Sequence, residues 1–176
     1  MIRALVVVAL LATAAPAETV IELPKTKATL TLADGWTRTP PPRADRAIVE
    51  IYKHDKGALL VVTRADVPNP DAWVAEKKQA YVDQVEKGIK ASVPGYKRIA
   101  KKLVDANGVP ALDLEAKREG GAIVVVRVLL FRTYALSLAI EVPKGGDVAT
   151  ARALVKTFAP PKEPAPGETA TTPKKT

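Results

Sequence analysis

Residues 120–143 read GGAIVVVRVLLFRTYALSLAIEVP, long and apolar enough to suggest a membrane span. Their pattern says otherwise. From Tyr134 the positions alternate, with Tyr134, Leu136, Leu138, Ile140 and Val142 on one face and Ala135, Ser137, Ala139 and Glu141 on the other. Upstream, Val124, Val126, Val128 and Leu130 share a face, and Ile123, Val125, Arg127, Leu129 and Phe131 share the opposite one. A period of two is that of a strand, not a helix. As a lipid-embedded helix the run would gain about 0.3 to 0.6 kcal/mol for each large apolar residue. Arg127 and Arg132 near its middle would each cost about 2.5 to 3.5 kcal/mol, leaving little or no net gain. The pattern therefore predicts a central antiparallel hairpin turning within a residue or two of Arg132-Thr133. Its two strands are expected to present Leu136, Leu138, Val126 and Val128 to the same core.

The remaining pattern extends the sheet. TVIEL and KATLTL alternate around Pro24–Thr26 and predict a first hairpin, followed by a turn at ADGW with Trp36 just beyond it. Pro40, Pro41 and Pro42 forbid regular pairing and mark a loop. RAIVEIYKH and GALLVVTRA predict two more strands hinged at Asp55–Gly57. Asn69-Pro70-Asp71 has the cap, first-turn proline and acid of a helix start. That helix should run to about Ala91, burying Val74, Tyr81, Val85 and Ile89 with Trp73 and Ala80 beside them. YKRIAKKLVD and VPALDLEAKR flank Asn107-Gly108, a strong hairpin-turn pair. In the second of these strands Leu112, Leu114 and Ala116 are expected to face in, and Asp113, Glu115 and Lys117 to face out. Asp147 should cap a last helix with Val148, Ala151, Leu154, Val155 and Phe158 on its buried side. The fold class is α+β: an antiparallel β-sheet built from successive hairpins, with a long helix and a C-terminal helix packed on one face.

This order resembles the PsbP-like superfold. The resemblance is carried by IELP, TLTLADGW, the amphipathic helix after two strands, NGVPALDLEA, YALSLAIEVP and ARALVKTFAP. It covers nearly all of residues 19–160 and lies in spacing and pattern. The superfold includes the extrinsic oxygen-evolving-complex subunit PsbP, the DcrB-related bacterial envelope proteins and a Ran-binding nuclear transport factor. The resemblance implies an α/β/α-type sandwich and a binding or accessory role. It brings no catalytic set of residues to carry over.

The ends of the chain add a destination. Arg3, the apolar stretch Ala4–Ala14 and Ala15-Pro16-Ala17 have the three parts of a secretory signal peptide, which predicts export after cleavage near Ala17 to the periplasm or outside the cell. From Ala159 the chain is rich in Pro, Thr and charge, with no apolar residue larger than Ala, and is expected to be disordered. The expected organisation is a signal peptide at 1–17, one domain at 18–158 and a tail at 159–176.

Charge and chemistry narrow the function. The net charge is +8, and loss of Arg3 leaves an excess suited to an acidic partner, whether anionic lipid, polysaccharide or protein. With no Cys, thiol catalysis, disulfides and thiolate metal sites are excluded. His54 is the sole histidine and reads as an exposed residue at a strand end, so no metal site is expected. The only serines, Ser92 and Ser137, lie outside any G-x-S-x-G elbow. No phosphate-cradling glycine motif occurs, and no cofactor is expected. Asp113 and Glu115 share a strand face, as a glycosidase-type pair could, but alternating acids more often serve solubility. Nucleic acid is not an expected partner, and neither is a transmembrane segment in the mature chain. Arg127, mid-strand among apolar neighbours, is the one candidate binding position. It could anchor an anion, or it could form a cross-strand ion pair with Asp113 or Glu115. The expected protein is an exported, soluble, non-catalytic binding or accessory protein of the bacterial envelope. The alternative is a peripheral binder of anionic membrane or polymer surfaces.

Overall fold

The structure, a computed structural model, describes residues 18–24, 26–42, 45–66 and 78–161. The first hairpin is β1 (Thr19–Glu22) with β2 (Thr29–Leu32). A separate seven-stranded sheet follows, made of β3 (Trp36–Thr39), β4 (Ile48–His54), β5 (Leu59–Asp66), β6 (Lys97–Ala106), β7 (Val109–Lys117), β8 (Ile123–Leu130) and β9 (Tyr134–Val142). Its spatial order is β3-β4-β5-β9-β8-β7-β6, with every neighbouring pair antiparallel. Among the described residues two α-helices pack with the strands: α1 (Lys78–Ser92) and α2 (Val148–Thr157). The α+β class and the succession of hairpins are those the pattern predicts. β3 is an addition: the residue pattern there predicts only a turn and a tryptophan. Among the described residues, no helix is long and apolar enough to cross a membrane.

The central hairpin turns at Arg132-Thr133, where Phe131 N–H donates to Tyr134 O at 2.9 Å. Neither turn residue is glycine, and side chains close the turn instead. The Phe131 and Tyr134 rings stack with centroids 4.4 Å apart, and the Arg64 guanidinium lies 4.3 Å over Tyr134. A two-residue loop fixes the register, so Arg127 faces Leu138, Val126 faces Ala139 and Val128 faces Ser137. Directly opposed residues share a face. Leu136 and Leu138 therefore lie with Val125, Arg127 and Leu129, and the shared core expected for Val126, Val128, Leu136 and Leu138 is not formed.

The sheet has a core on each face, and the helices divide between them. Leu136, Leu138, Ile140, Leu60 and Val62 pack with Ala151, Leu154, Val155 and Phe158 around α2, beneath the β1–β2 hairpin. Leu112, Leu114, Val124, Val126 and Val128 pack with Val82 of α1, and with Tyr81, Val85 and Ile89 at its margin. The expectation of both helices on one face is thus corrected. β8 is apolar on both faces, so it requires cover on both. Within α1, Tyr81, Val85 and Ile89 pack against this core as expected, Val82 is buried beside them, and Ala80 is exposed. The proposed cap at Asn69-Pro70-Asp71, with Trp73 and Val74, lies outside the described residues.

Local chemistry closes the remaining joins. Asn107 and Gly108 have φ of 54° and 85°, the left-handed pair that a two-residue β6–β7 hairpin needs. Asp147 caps α2 by accepting from Thr150 N–H at 3.0 Å. Thr157 Oγ1 accepts from Thr31 N–H at 3.1 Å and so ties α2 to β2. Ala159 then exchanges two backbone hydrogen bonds with Thr29, both 3.0 Å, and Pro160 is buried.

Leu138 is fully buried between the central strands and α2. Leu138→Ala should cost about 2 to 5 kcal/mol in urea unfolding of residues 18–161, the range for deleting a buried leucine. A variant as stable as the wild type would contradict this packing.

Candidate functional site

The structure places Arg127 on the face covered by α2, with 7% of its surface exposed. Its Nε and Nη2 donate to the two carboxylate oxygens of Asp113, each at 2.7 Å, and its Nη1 donates to Lys156 O at 3.1 Å. The bidentate pair is the cross-strand reading of this arginine, extended to the last turn of α2. A cation there also complements the negative end of the helix dipole. Glu115, two residues along on β7, pairs bidentately with Arg152 of α2, both bonds 2.8 Å. Asp113 and Glu115 thus share a face as expected, but that face is turned to α2 rather than out to solvent. Each is matched to an arginine, and neither stands opposite the other as an acid–base pair would. Ser92 Oγ donates to Ile89 O at the end of α1, and Ser137 lies mid-sheet opposite Thr63 and Val128.

A cavity of about 280 Å³ opens at the end of the sheet where β4, β9 and the start of α2 meet. Trp36, Ala58, Ile140, Val142 and Ala151 give it apolar walls, while His54, Lys56, Asp147 and Thr150 supply its polar groups. His54 is not the exposed strand-end residue expected, since its side chain is only 16% exposed. Its ring meets Trp36 edge to face, with centroids 4.9 Å apart. Gly35 permits this approach: it has φ of +91°, and a Cβ there would stand 2.9 Å from His54 Nε2. His54 Nδ1 lies 2.6 Å from Asp55 Oδ1 and 3.1 Å from Lys56 N–H. It can donate to the first or accept from the second, but not both, so the ring's proton selects its partner. Trp36 Nε1 is buried and is the one buried side-chain N or O without a hydrogen-bond partner among the described residues. An orphan donor of this kind costs about 1 to 3 kcal/mol, which this corner accepts. Asp147 is held below the ordinary carboxylate range by the Thr150 hydroxyl and backbone N–H, with Lys56 adding to the effect. Among the described residues, no group of three or more His, Asp or Glu is placed to hold a metal ion.

Among solved structures, cyanobacterial PsbP (CyanoP) from Synechocystis sp. PCC 6803 matches this architecture with a TM-score of 0.57 at 12% identity, covering 84% of this chain and 92% of that one. The fold is PsbP-like. A protein of unknown function from Pseudomonas aeruginosa, PA94, superposes with a TM-score of 0.44 at 18% identity over 84% of this chain and 98% of its own. No family model matches the chain, and no curated protein does. Identity this low conveys the fold and nothing of the ligand.

In this PsbP-like domain the α1 face has a polar seam of its own. Lys101 of β6 donates to Asp83 at 2.8 Å and to Glu86 at 2.7 Å, and Arg98 donates to Glu86 at 2.8 Å. The Lys101 hydrogen bond is the main cause holding both carboxyls below their ordinary range, against a smaller opposing effect of burial. Tyr96, also bonded to Glu86, is pushed up to about 12, first by burial and then by that carboxylate.

A carboxyl whose folded pKa is depressed stabilises the fold above its unfolded pKa and loses that contribution as pH falls through the folded value. Amide protection across Val82–Ile89 should therefore hold from neutrality to about pH 4 and fall below it. Lys101→Met should flatten that acid limb in hydrogen exchange. The Arg127–Asp113 pair should respond asymmetrically. Asp113→Ala strands a cation whose side chain is 9% exposed and should cost about 3 to 5 kcal/mol. Arg127→Ala leaves an aspartate that is 28% exposed and can rehydrate, so about 1 to 3 kcal/mol is expected. Urea unfolding of both variants checks the order.

Proposed function

We propose that the chain is an exported, non-catalytic binding or accessory protein of the bacterial envelope, and that it seats a small, largely apolar ligand in the Trp36–His54 cavity. The cavity carries this reading. Its volume of about 280 Å³ lies close to the lower end of ligand pockets, about 300 Å³, and apolar walls with a few convergent polar groups are their usual lining. Export is supported by the leader-like pattern at residues 1–17. A binding role is supported by the accessory character of the proteins the sequence resembles. Neither serine stands beside His54: Ser92 and Ser137 lie on other parts of the fold.

Tryptophan fluorescence tests the seat. The chain has two tryptophans, so a Trp73→Phe background leaves Trp36 to report alone. Anilinonaphthalene sulfonate, a small apolar probe, should bind one to one and quench Trp36 by energy transfer. Ala58→Phe, which fills the cavity, should weaken binding at least tenfold while leaving the far-ultraviolet spectrum unchanged. Equal binding by the filled variant would remove the cavity as the seat. Turnover of an ester, glycoside or peptide panel that is lost on His54→Ala would overturn the non-catalytic reading.

A further inference from the structure

The two edges of the sheet are built differently. β3 is four residues long and runs into Pro40, Pro41 and Pro42, which have no N–H to offer an incoming strand. β6 is ten residues long and contains no proline, and among the described residues it pairs with β7 alone. One side of its backbone therefore presents N–H and C=O groups along its length. A bulge between Arg98 and Ala100 bends its beginning, but from Ala100 to Ala106 the register with β7 is unbroken. Ile99 and Leu103 on this strand are 53% and 40% exposed, unusual for large apolar side chains in this domain.

The charge around this edge is one-sided. Arg98 and Lys101 are held by Glu86 and Asp83 on the α1 side. Lys102, on the α2 side, is exposed. There a groove of about 150 Å³ runs between β6 and α2, with Ala100, Val125 and Val155 in its floor and Lys102, Arg152 and Lys156 at its rim. The nearby acids are already engaged, Asp113 by Arg127 and Glu115 by Arg152. The groove is apolar below and cationic above.

We propose that β6 and this groove form a docking site for an extended acidic segment of a partner protein, which adds to the sheet as an eighth strand beside Ala100–Ala106. An added strand would place alternate side chains on the two faces. On the α2 side acidic ones reach Lys102 and Lys156, and on the α1 side apolar ones lie beside Leu103, which shares its face with Leu112. A second copy of this chain suits the edge poorly. Its own β6 carries four cations, Lys97, Arg98, Lys101 and Lys102, against Asp105 alone, so two such strands would meet as like charges. This inference is independent of the Trp36–His54 cavity.

The test uses the mature chain, residues 18–176, and a fluorescein-labelled synthetic nonapeptide of alternating glutamate and valine. Anisotropy should show saturable binding, and amide exchange should slow across Ala100–Ala106. Lys102→Glu with Lys156→Glu should weaken binding at least tenfold, and circular dichroism checks that this variant is folded. A peptide N-methylated at alternate residues keeps its charge but cannot complete a ladder, and it should bind at least tenfold more weakly. Equal binding of the methylated peptide, or unchanged exchange at β6, would overturn strand addition. Phosphatidylglycerol vesicles bound in a Lys102- and Lys156-dependent way, with no peptide binding, would assign the patch to a membrane surface and refute the proposal. A dimer in sedimentation that dissociates in the same variant would do likewise.

Discussion

A strand that is apolar on both faces and carries one arginine sets the terms for this domain. Val124, Val126, Val128 and Leu130 on one side of β8 and Val125 and Leu129 on the other cannot be left in water. Arg127 cannot enter the core alone, because an unpaired buried cation costs several kcal/mol. The solution joins three elements. Asp113 of the neighbouring strand neutralises the guanidinium, the last turn of α2 accepts its remaining bond, and the helix closes the face. Arg152 and Glu115 repeat the device one helical turn away. The position of α2 is thus determined by polar matching as well as by Leu154, Val155 and Phe158.

That placement also explains where open space remains. α2 lies over the middle of the sheet, touching β8, β9 and β2. The β1–β2 hairpin shares that face with α2, and a depression remains on each side of the helix. On the β3 side the gap becomes the Trp36–His54 cavity, walled by the helix start and the β4–β5 turn. On the β6 side it becomes the cationic groove. Both depressions border α2 on the face that the helix shares with the hairpin.

Much of this was legible from residue pattern. Alternation located eight of the nine strands, Asn107-Gly108 fixed its hairpin, and Asp147 and the apolar side of α2 were readable directly. Three things were not. β3 is four residues with mixed exposure, too short for a period to register. The pairing of Leu138 with Arg127 rather than with a residue on the other face depends on the length of one turn, and a shift of one residue reverses every side chain. The division of the helices required recognising that β8 is apolar on both sides. The candidate site was less legible. Arg127 stood out because a charge interrupts an apolar run. The cavity gathers Trp36, His54, Val142 and Thr150 from separate segments, and no local spacing encodes that meeting. His54 became half-buried through Gly35 and Trp36, neither of which signals burial of a distant ring.

The two sheet edges show how the same hazard is managed in opposite ways. An unpaired edge is a template for another strand, and proteins ordinarily shorten it, bend it or charge it. At β3 the chain is shortened and closed by prolines, and Arg38 crosses to the buried Glu50 through two 2.6 Å bonds that pin the strand in place. At β6 there is a bend at Arg98, but seven regular residues follow it, and the protection is charge alone. Charge discriminates where proline does not: it repels a second basic edge and leaves an acidic one admissible. On the strand-addition proposal, a cationic edge on a protein with a net charge of +8 works as a filter, opposing self-association while the hydrogen-bonding capacity of the strand is preserved.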